Sequence, residues 1–335
     1  MFHLALRRRK SSLAVTHLWR IAALAGIAGC ASIHNLVPAI ANPAARLVAY
    51  LSCYNGSYAT RAANLNFSRM THLLLAFGTA PKCNGVCTAA SDMTLSLEQD
   101  DADVATLVAA AHAAGVKVMI SLGGGDRDDD ATISQFYNAG LSVPFAAAID
   151  RYVAAHDLDG VDVDMEDPSN MGAPYGDFIQ ALAARLHPEG KLLTAAVGSY
   201  PSSAIPDAAL AQFDFLNVMV YSNYADASDA LEYYSAVKAI PPEKLVLGAP
   251  FFGSTRNWSR EESYATILAA YPDAWQMDVV SGGSLDNGVT FHYVGESSMA
   301  QETQLGARYG GIMIWELTQD AGGLHSLLSV IQKNL

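Results

Sequence analysis

Charge is scarce in this chain: Asp, Glu, Lys and Arg make up 16% of the residues, against 51% hydrophobic. That balance excludes wholesale disorder, which needs much charge and few apolar residues. No low-complexity tract occurs. Beyond residue 46 no linker rich in Pro, Gly or Ser divides the chain, so one large domain with a core of its own is expected. Cysteine is also rare, limited to Cys30, Cys53, Cys83 and Cys87. No second ligand pair stands at zinc-site spacing, so no metal is expected. Cys83 and Cys87 flank a short turn-like segment and suit a local bridge; pairing of Cys53 with either is the alternative. An uninterrupted apolar run of about 20 residues, the length that spans a bilayer, is missing.

Acidic residues are absent from 1–41, which carries Arg7, Arg8, Arg9, Lys10 and Arg20 ahead of an apolar run from Ile21 to Gly29. A basic region before a short apolar core reads as an export signal. Ile27-Ala28-Gly29-Cys30 resembles a lipobox, which would make a lipidated Cys30 the mature N-terminus. Ala39-Ile40-Ala41 offers an alternative cleavage before Asn42. The lipobox is preferred because it closes the apolar run directly. An exported protein of the cell envelope or exterior is expected, touching a membrane only through a lipid on Cys30. Losing the segment's five basic residues deepens the formal charge from −13 to about −18. So acidic a surface argues against nucleic acid as a partner.

The rest of the chain alternates short apolar runs with longer amphipathic ones. Strands are expected at 46–51, 71–77, 116–121, 160–165, 191–197, 214–220, 245–250 and 311–315. Most are continuous apolar runs, as in parallel strands buried on both faces. Helices are expected at 101–114, 144–155, 175–187, 227–239, 297–309 and 323–333; the first and fifth connections have weak helical patterns. Eight strands interleaved with helices predict a single-domain α/β fold, a (β/α)8 TIM barrel over 46–335. The stretch 252–295 reads as an excursion over the barrel top.

The chemistry centres on Asp159-Gly160-Val161-Asp162-Val163-Asp164-Met165-Glu166. Strand alternation puts Asp162, Asp164 and Glu166 on one face and Val161, Val163 and Met165 on the other. Three stacked carboxyls cannot all ionise cheaply, so each needs hydrogen bonds or a shared proton. Calcium loops need backbone kinks between ligands, which Val does not supply. Coupled carboxyls that retain a proton at neutral pH suit general acid catalysis. Asp159 has the opposite parity and reads as a structural residue.

This octapeptide resembles the D-x-x-D-x-D-x-E signature of glycoside hydrolase family 18, the chitinases and endo-β-N-acetylglucosaminidases. The resemblance extends to Ser121-Leu122-Gly123-Gly124, to the second strand Thr71–Phe77, to Leu247–Gly253 and to Gly310–Leu317, in family order over about 46–325. It implies substrate-assisted hydrolysis of β-1,4 bonds in N-acetylglucosamine polymers with retention of configuration, an exception to the two-carboxylate scheme. No cofactor is implied, and a monomer is expected. Glu166 would be the acid, Asp164 would bind the acetamide N–H, and Asp162 would share a proton with Asp164. Tyr221 would contact the acetamide carbonyl, a buried core tyrosine being the alternative. Trp315 would floor the subsite, with Tyr50, Phe77, Met219, Ser121, Gly123 and Gly124 among the substrate-binding residues. Tyr54, Tyr224, Trp258 and Trp275 are looser candidates for outer subsites.

The chain departs from the family pattern in three places. Ser222 follows Tyr221 where Asp or Asn is frequent, Gly125 stands where Trp often follows S-x-G-G, and 252–295 is short for a full insertion domain. A shallow, open groove is implied. An endo-β-N-acetylglucosaminidase acting on N-glycan cores is the alternative enzyme, and a non-catalytic sugar-binding protein is the alternative of another class.

Overall fold

A computed structural model describes residues 45–80, 93–125, 127–199, 205–283, 285 and 289–335. The expected export signal at 1–41 with Cys30, and the pair Cys83 and Cys87, lie outside the described residues. Cys53 is a buried free thiol.

Eight parallel strands close into a barrel: β1 (Arg46–Ser52), β2 (His72–Gly78), β3 (Lys117–Gly123), β4 (Gly160–Asp164), β5 (Leu192–Gly198), β6 (Phe215–Met219), β7 (Leu245–Pro250) and, last in the chain, β12 (Gly311–Trp315). Around the barrel they follow chain order, and β12 closes against β1. This is the (β/α)8 barrel read from the sequence. Each expected strand coincides with an observed one to within two residues at either end.

The surrounding helices are α1 (Tyr58–Asn64), α2 (Asp101–Ala113), α3 (Arg127–Asn138), α4 (Ser142–Ala155), α5 (Ala173–Leu186), α6 (Asp207–Leu210) and α7 (Tyr224–Glu232), with α9 (Glu296–Gly306) and α10 (Leu327–Asn334) after a later excursion. Helix α2 shows why local sequence sets these bounds. Asp101 and Asp103 occupy its first turn, where carboxylates complement the helix dipole. At its end Gly115 adopts φ +77°. Val116 N–H then donates to Ala111 O and Gly115 N–H to His112 O, a Schellman cap that needs a left-handed residue at that point.

Two apolar layers hold the assembly. The barrel interior holds Val48, Tyr50, Leu74, Met119, Phe215, Val246 and Met313. A larger layer lies between strands and helices and includes Leu75, Ile120, Val161, Val163, Phe178, Leu247 and Ile314. The odd residues of β4 therefore face the helices, which leaves its acids pointing inward.

Between β7 and β12 the chain builds a small antiparallel sheet from β8 (Phe252–Ser254), β9 (Glu261–Ser263), β10 (Val279–Val280) and β11 (Phe291–His292), together with α8 (Tyr264–Ala270). The expected excursion is thus a compact α+β element.

Candidate active site

Asp162, fully buried on β4, is the anchor of the site. The register sets Ser121 of β3 and Thr194 of β5 directly beside it. Ser121 Oγ donates to Oδ2 at 2.8 Å and Thr194 Oγ1 to Oδ1 at 2.6 Å. Tyr50 on β1 donates to Oδ2 at 2.7 Å, and Asn217 Nδ2 on β6 to Oδ1 at 3.3 Å. An ionised carboxylate only accepts, so four donors match it. Burial raises the pKa of Asp162, and these four bonds oppose that rise.

Asp164, two residues on, is also buried, but its Oδ1 has no hydrogen-bond partner among the described residues. Burial, then the charges of Glu166, Asp162 and Asp130, hold its carboxyl well above the usual range. Of the pair, Asp164 is therefore the carboxyl whose neutral form is favoured more strongly.

Glu166 lies just past the end of β4 and is open to solvent. The protein around it still removes enough water to raise its pKa, and the charges of Asp130 and Glu261 add to that rise. Asp130 belongs to α3, an element not expected from the sequence. It is buried, and its Oδ2 accepts the backbone N–H groups of Glu166 at 3.2 Å and Asp167 at 2.6 Å. The available signal was the acidic run that opens this helix straight after the glycine-rich end of β3.

Aromatic rings line the same end of the barrel. Trp315 stacks on Phe77 at 5.4 Å and 23°, and meets Tyr50 edge-on at 5.3 Å. Both half-buried rings adjoin non-proline cis peptides, Ala76–Phe77 and Trp315–Glu316. Met219 and Tyr221 pack against the same interior cluster, and the Tyr221 ring lies edge-on to Phe252 at 5.5 Å. Burial, then the charges of Asp164, Glu166, Asp162 and Glu261, push the Tyr221 hydroxyl well above 10, so it remains a donor at working pH.

Four of the expected substrate-binding residues support the acids and their surroundings. Tyr50 and Ser121 are buried and spend their hydroxyls on Asp162. Gly123 and Gly124 are buried too, with φ of +101° and +107°. A Cβ on Gly123 would lie 2.3 Å from Asp164 O, and one on Gly124 would lie 2.6 Å from the Phe77 ring. Their lack of side chains lets β3 approach β4 and Phe77 closely.

Asp159 is placed structurally: its Oδ2 accepts Val118 N–H at 2.7 Å and meets His112 Nε2 at 2.8 Å. Ser222 and Asn223, at the point of departure from the family, serve α7. Ser222 Oγ donates to Asp226, while Asn223 caps the helix through Ala225 and Asp226 N–H. Among the outer aromatics, Trp275 stacks on His325, while Tyr224, itself exposed, accepts from Arg308. Tyr54 and Trp258 are exposed, at 60% and 53%.

A family model for glycosyl hydrolases family 18 matches residues 46–320. The chain belongs to that family. Among solved structures, a family 18 chitinase, ChiB from the chitin utilization locus of Flavobacterium johnsoniae, is 29% identical. It aligns over 87% of this chain and 93% of its own with a TM-score of 0.73. A family 18 chitinase from Cycas revoluta, solved with (GlcNAc)3, shares the fold at 20% identity and a TM-score of 0.68, over 87% and 99% of the two chains. Among curated relatives, a chitinase-like effector of Moniliophthora perniciosa is 27% identical over 62% of this chain, and a class V chitinase of Arabidopsis thaliana 26% over 60%. These matches span 56% and 61% of the relatives' own lengths.

Proposed function

We propose that this family 18 protein hydrolyses β-1,4 bonds in chitin or chitooligosaccharides, with retention of configuration and with the substrate's acetamido group as nucleophile. The observation that carries the reading is the unequal treatment of the three carboxyls. Asp162 is saturated with donors, Asp164 is held well above the usual carboxyl range by burial and neighbouring charge, and Glu166 opens to solvent with a raised pKa. That is an arrangement for proton transfer at neutral pH.

In this reading Glu166 protonates the glycosidic oxygen, and the acetamido carbonyl closes on the anomeric carbon to give an oxazolinium ion. Asp164 accepts the acetamide N–H. Tyr221 donates to the acetamide carbonyl oxygen and aligns it. Glu166, now ionised, takes a proton from water as that water opens the oxazolinium. Trp315 and Phe77 offer ring faces to the sugar. The relatives named as chitinases, and the Cycas revoluta structure with (GlcNAc)3, support N-acetylglucosamine oligomers as the substrate class.

Glu166→Gln tests the assignment. Turnover of chitooligosaccharides should fall by about 10²–10⁴-fold or more, the usual scale for losing a general acid, while oligosaccharide binding persists. Turnover within tenfold of wild type removes Glu166 from the role. The retained Glu166 favours an enzyme over a sugar-binding protein, and parallel assays on a high-mannose glycoprotein separate chitin from N-glycan cores. Export with a lipid on Cys30 belongs to the same proposal and rests on the lipobox-like sequence. Mass spectrometry showing an unmodified Asn42 at the mature N-terminus overturns it.

A further inference from the structure

We propose that Asp130 is a positioning residue for the acid: its carboxylate clamps the chain where it leaves β4 and fixes the place from which Glu166 acts. The proposal rests on Glu166 being the acid. The strand ladder of β4 with β3 ends at Asp164, so the N–H groups of Glu166 and Asp167 lie beyond the sheet and need other acceptors. One oxygen of Asp130, buried in the first turn of α3 and 36 residues away in the chain, accepts both. The same helix holds the loop a second time through Tyr137, whose hydroxyl donates to Asn170 O at 3.0 Å.

The charge of Asp130 acts on its surroundings as well as through these bonds. Asp164, Glu166, Tyr137 and Tyr175 all feel the charge of Asp130. Around Glu166 itself stand Asp164 on β4, Tyr221 beyond β6, Glu261 on β9 and Asp130 on α3. A negative charge at position 130 favours the protonated forms of both site carboxyls. Asp130 thus sets the position of the acid through its hydrogen bonds, and helps keep it protonated through its charge. The end of β3 passes beside the acid too: a Cβ on Gly125 would lie 3.4 Å from Glu166 Oε1.

Asp130→Ala removes clamp and charge, while Asp130→Asn keeps one acceptor and removes the charge. Both are assayed on a soluble chitooligosaccharide across pH, beside Glu166→Gln, with thermal unfolding recorded for each. Asp130→Ala should lose about 100-fold in kcat, the scale of an ångström-sized misplacement. Its KM should stay within about threefold, since a positioning loss falls on the chemical step. Asp130→Asn should recover most of kcat but show the alkaline limb of kcat/KM at lower pH. A kcat for Asp130→Ala near wild type, or a fall matched by the folded fraction, overturns the proposal. If Asp130→Ala does not fold, an unmoved alkaline limb in Asp130→Asn overturns it. An active Glu166→Gln variant instead sinks the acid assignment, whereas an inactive one beside unaffected Asp130 variants sinks only the clamp.

Discussion

Asp162 and Asp164 point from one face of one strand into opposite surroundings: four donors meet the first, and Oδ1 of the second meets none among the described residues. The difference lies in the neighbouring strands. Ser121 and Thr194 share the level of Asp162, while the residue beside Asp164 on β3 is Gly123, which has nothing to donate from a side chain.

This asymmetry predicts opposite responses to the same substitution. Asp162→Asn puts an amide NH2 where only donors converge, so stability at pH 7 should fall by about 1–3 kcal/mol, the cost of unsatisfied buried groups. Asp164→Asn replaces a neutral acid by a neutral amide and should leave stability close to wild type. Urea denaturation of both variants checks this, and equal losses would show that the proton is not on Asp164.

The mechanism predicts the stereochemistry of the product. Glu316 is buried, and its oxygens are engaged by Ser52 and Thr318, so it is not free to act as a nucleophile. With the acetamido group in that role, the first-formed sugar should retain the β configuration, and thiazoline analogues of the oxazolinium should inhibit. NMR of the nascent product showing the α anomer, or normal cleavage of a substrate without the acetamide, rules the mechanism out.

The barrel and the acid ladder were legible in the sequence for physical reasons. Strands buried on both faces are unbroken apolar runs, and β4 breaks that rule only at Asp162 and Asp164, which marks the site. Helix α3 was not legible. Its buried Ile133, Phe136 and Tyr137 cover little more than one turn, and an acidic run precedes them. Asp130 was hidden with it, because a contact across 36 residues leaves no local period. The bonds of Tyr50 and Ser121 to Asp162 were not legible for a related reason. Strand parity says that a residue faces the barrel interior, but not whether it meets substrate at the mouth or a carboxylate below it.

Glu302 gives the fold a pH dependence apart from the site. It is 2% exposed on α9, and burial, then the charge of Asp278, pushes its carboxyl from 4.5 up to about 8. The folded state therefore binds this proton more tightly than the unfolded chain. The associated stability is fully present below about pH 4.5 and is lost as pH rises towards 8. Glu302→Gln should raise the Tm at pH 8 and leave it nearly unchanged at pH 4. A variant that melts lower than wild type at pH 8 contradicts this.

Gly125 offers a way to tune the acid from outside the strand. A Cβ there would make ordinary contact with Glu166, at 3.4 Å from Oε1 and 3.8 Å from the carboxyl carbon. Gly125 is exposed and needs no left-handed backbone, since its φ is not among the positive glycine angles. Gly125→Trp should therefore fold, and the indole should cover Glu166 from the solvent side. Covering a carboxyl with an apolar surface favours its neutral form. The alkaline limb of kcat/KM should move to higher pH, opposite to the shift expected for Asp130→Asn. A lower KM for longer oligomers should accompany it, because the indole adds a stacking face. Gly125→Ala, too small to cover the carboxyl, should change neither. An alkaline limb in Gly125→Trp that stays in place or moves down would show that solvent exposure at this side does not set the pKa of Glu166.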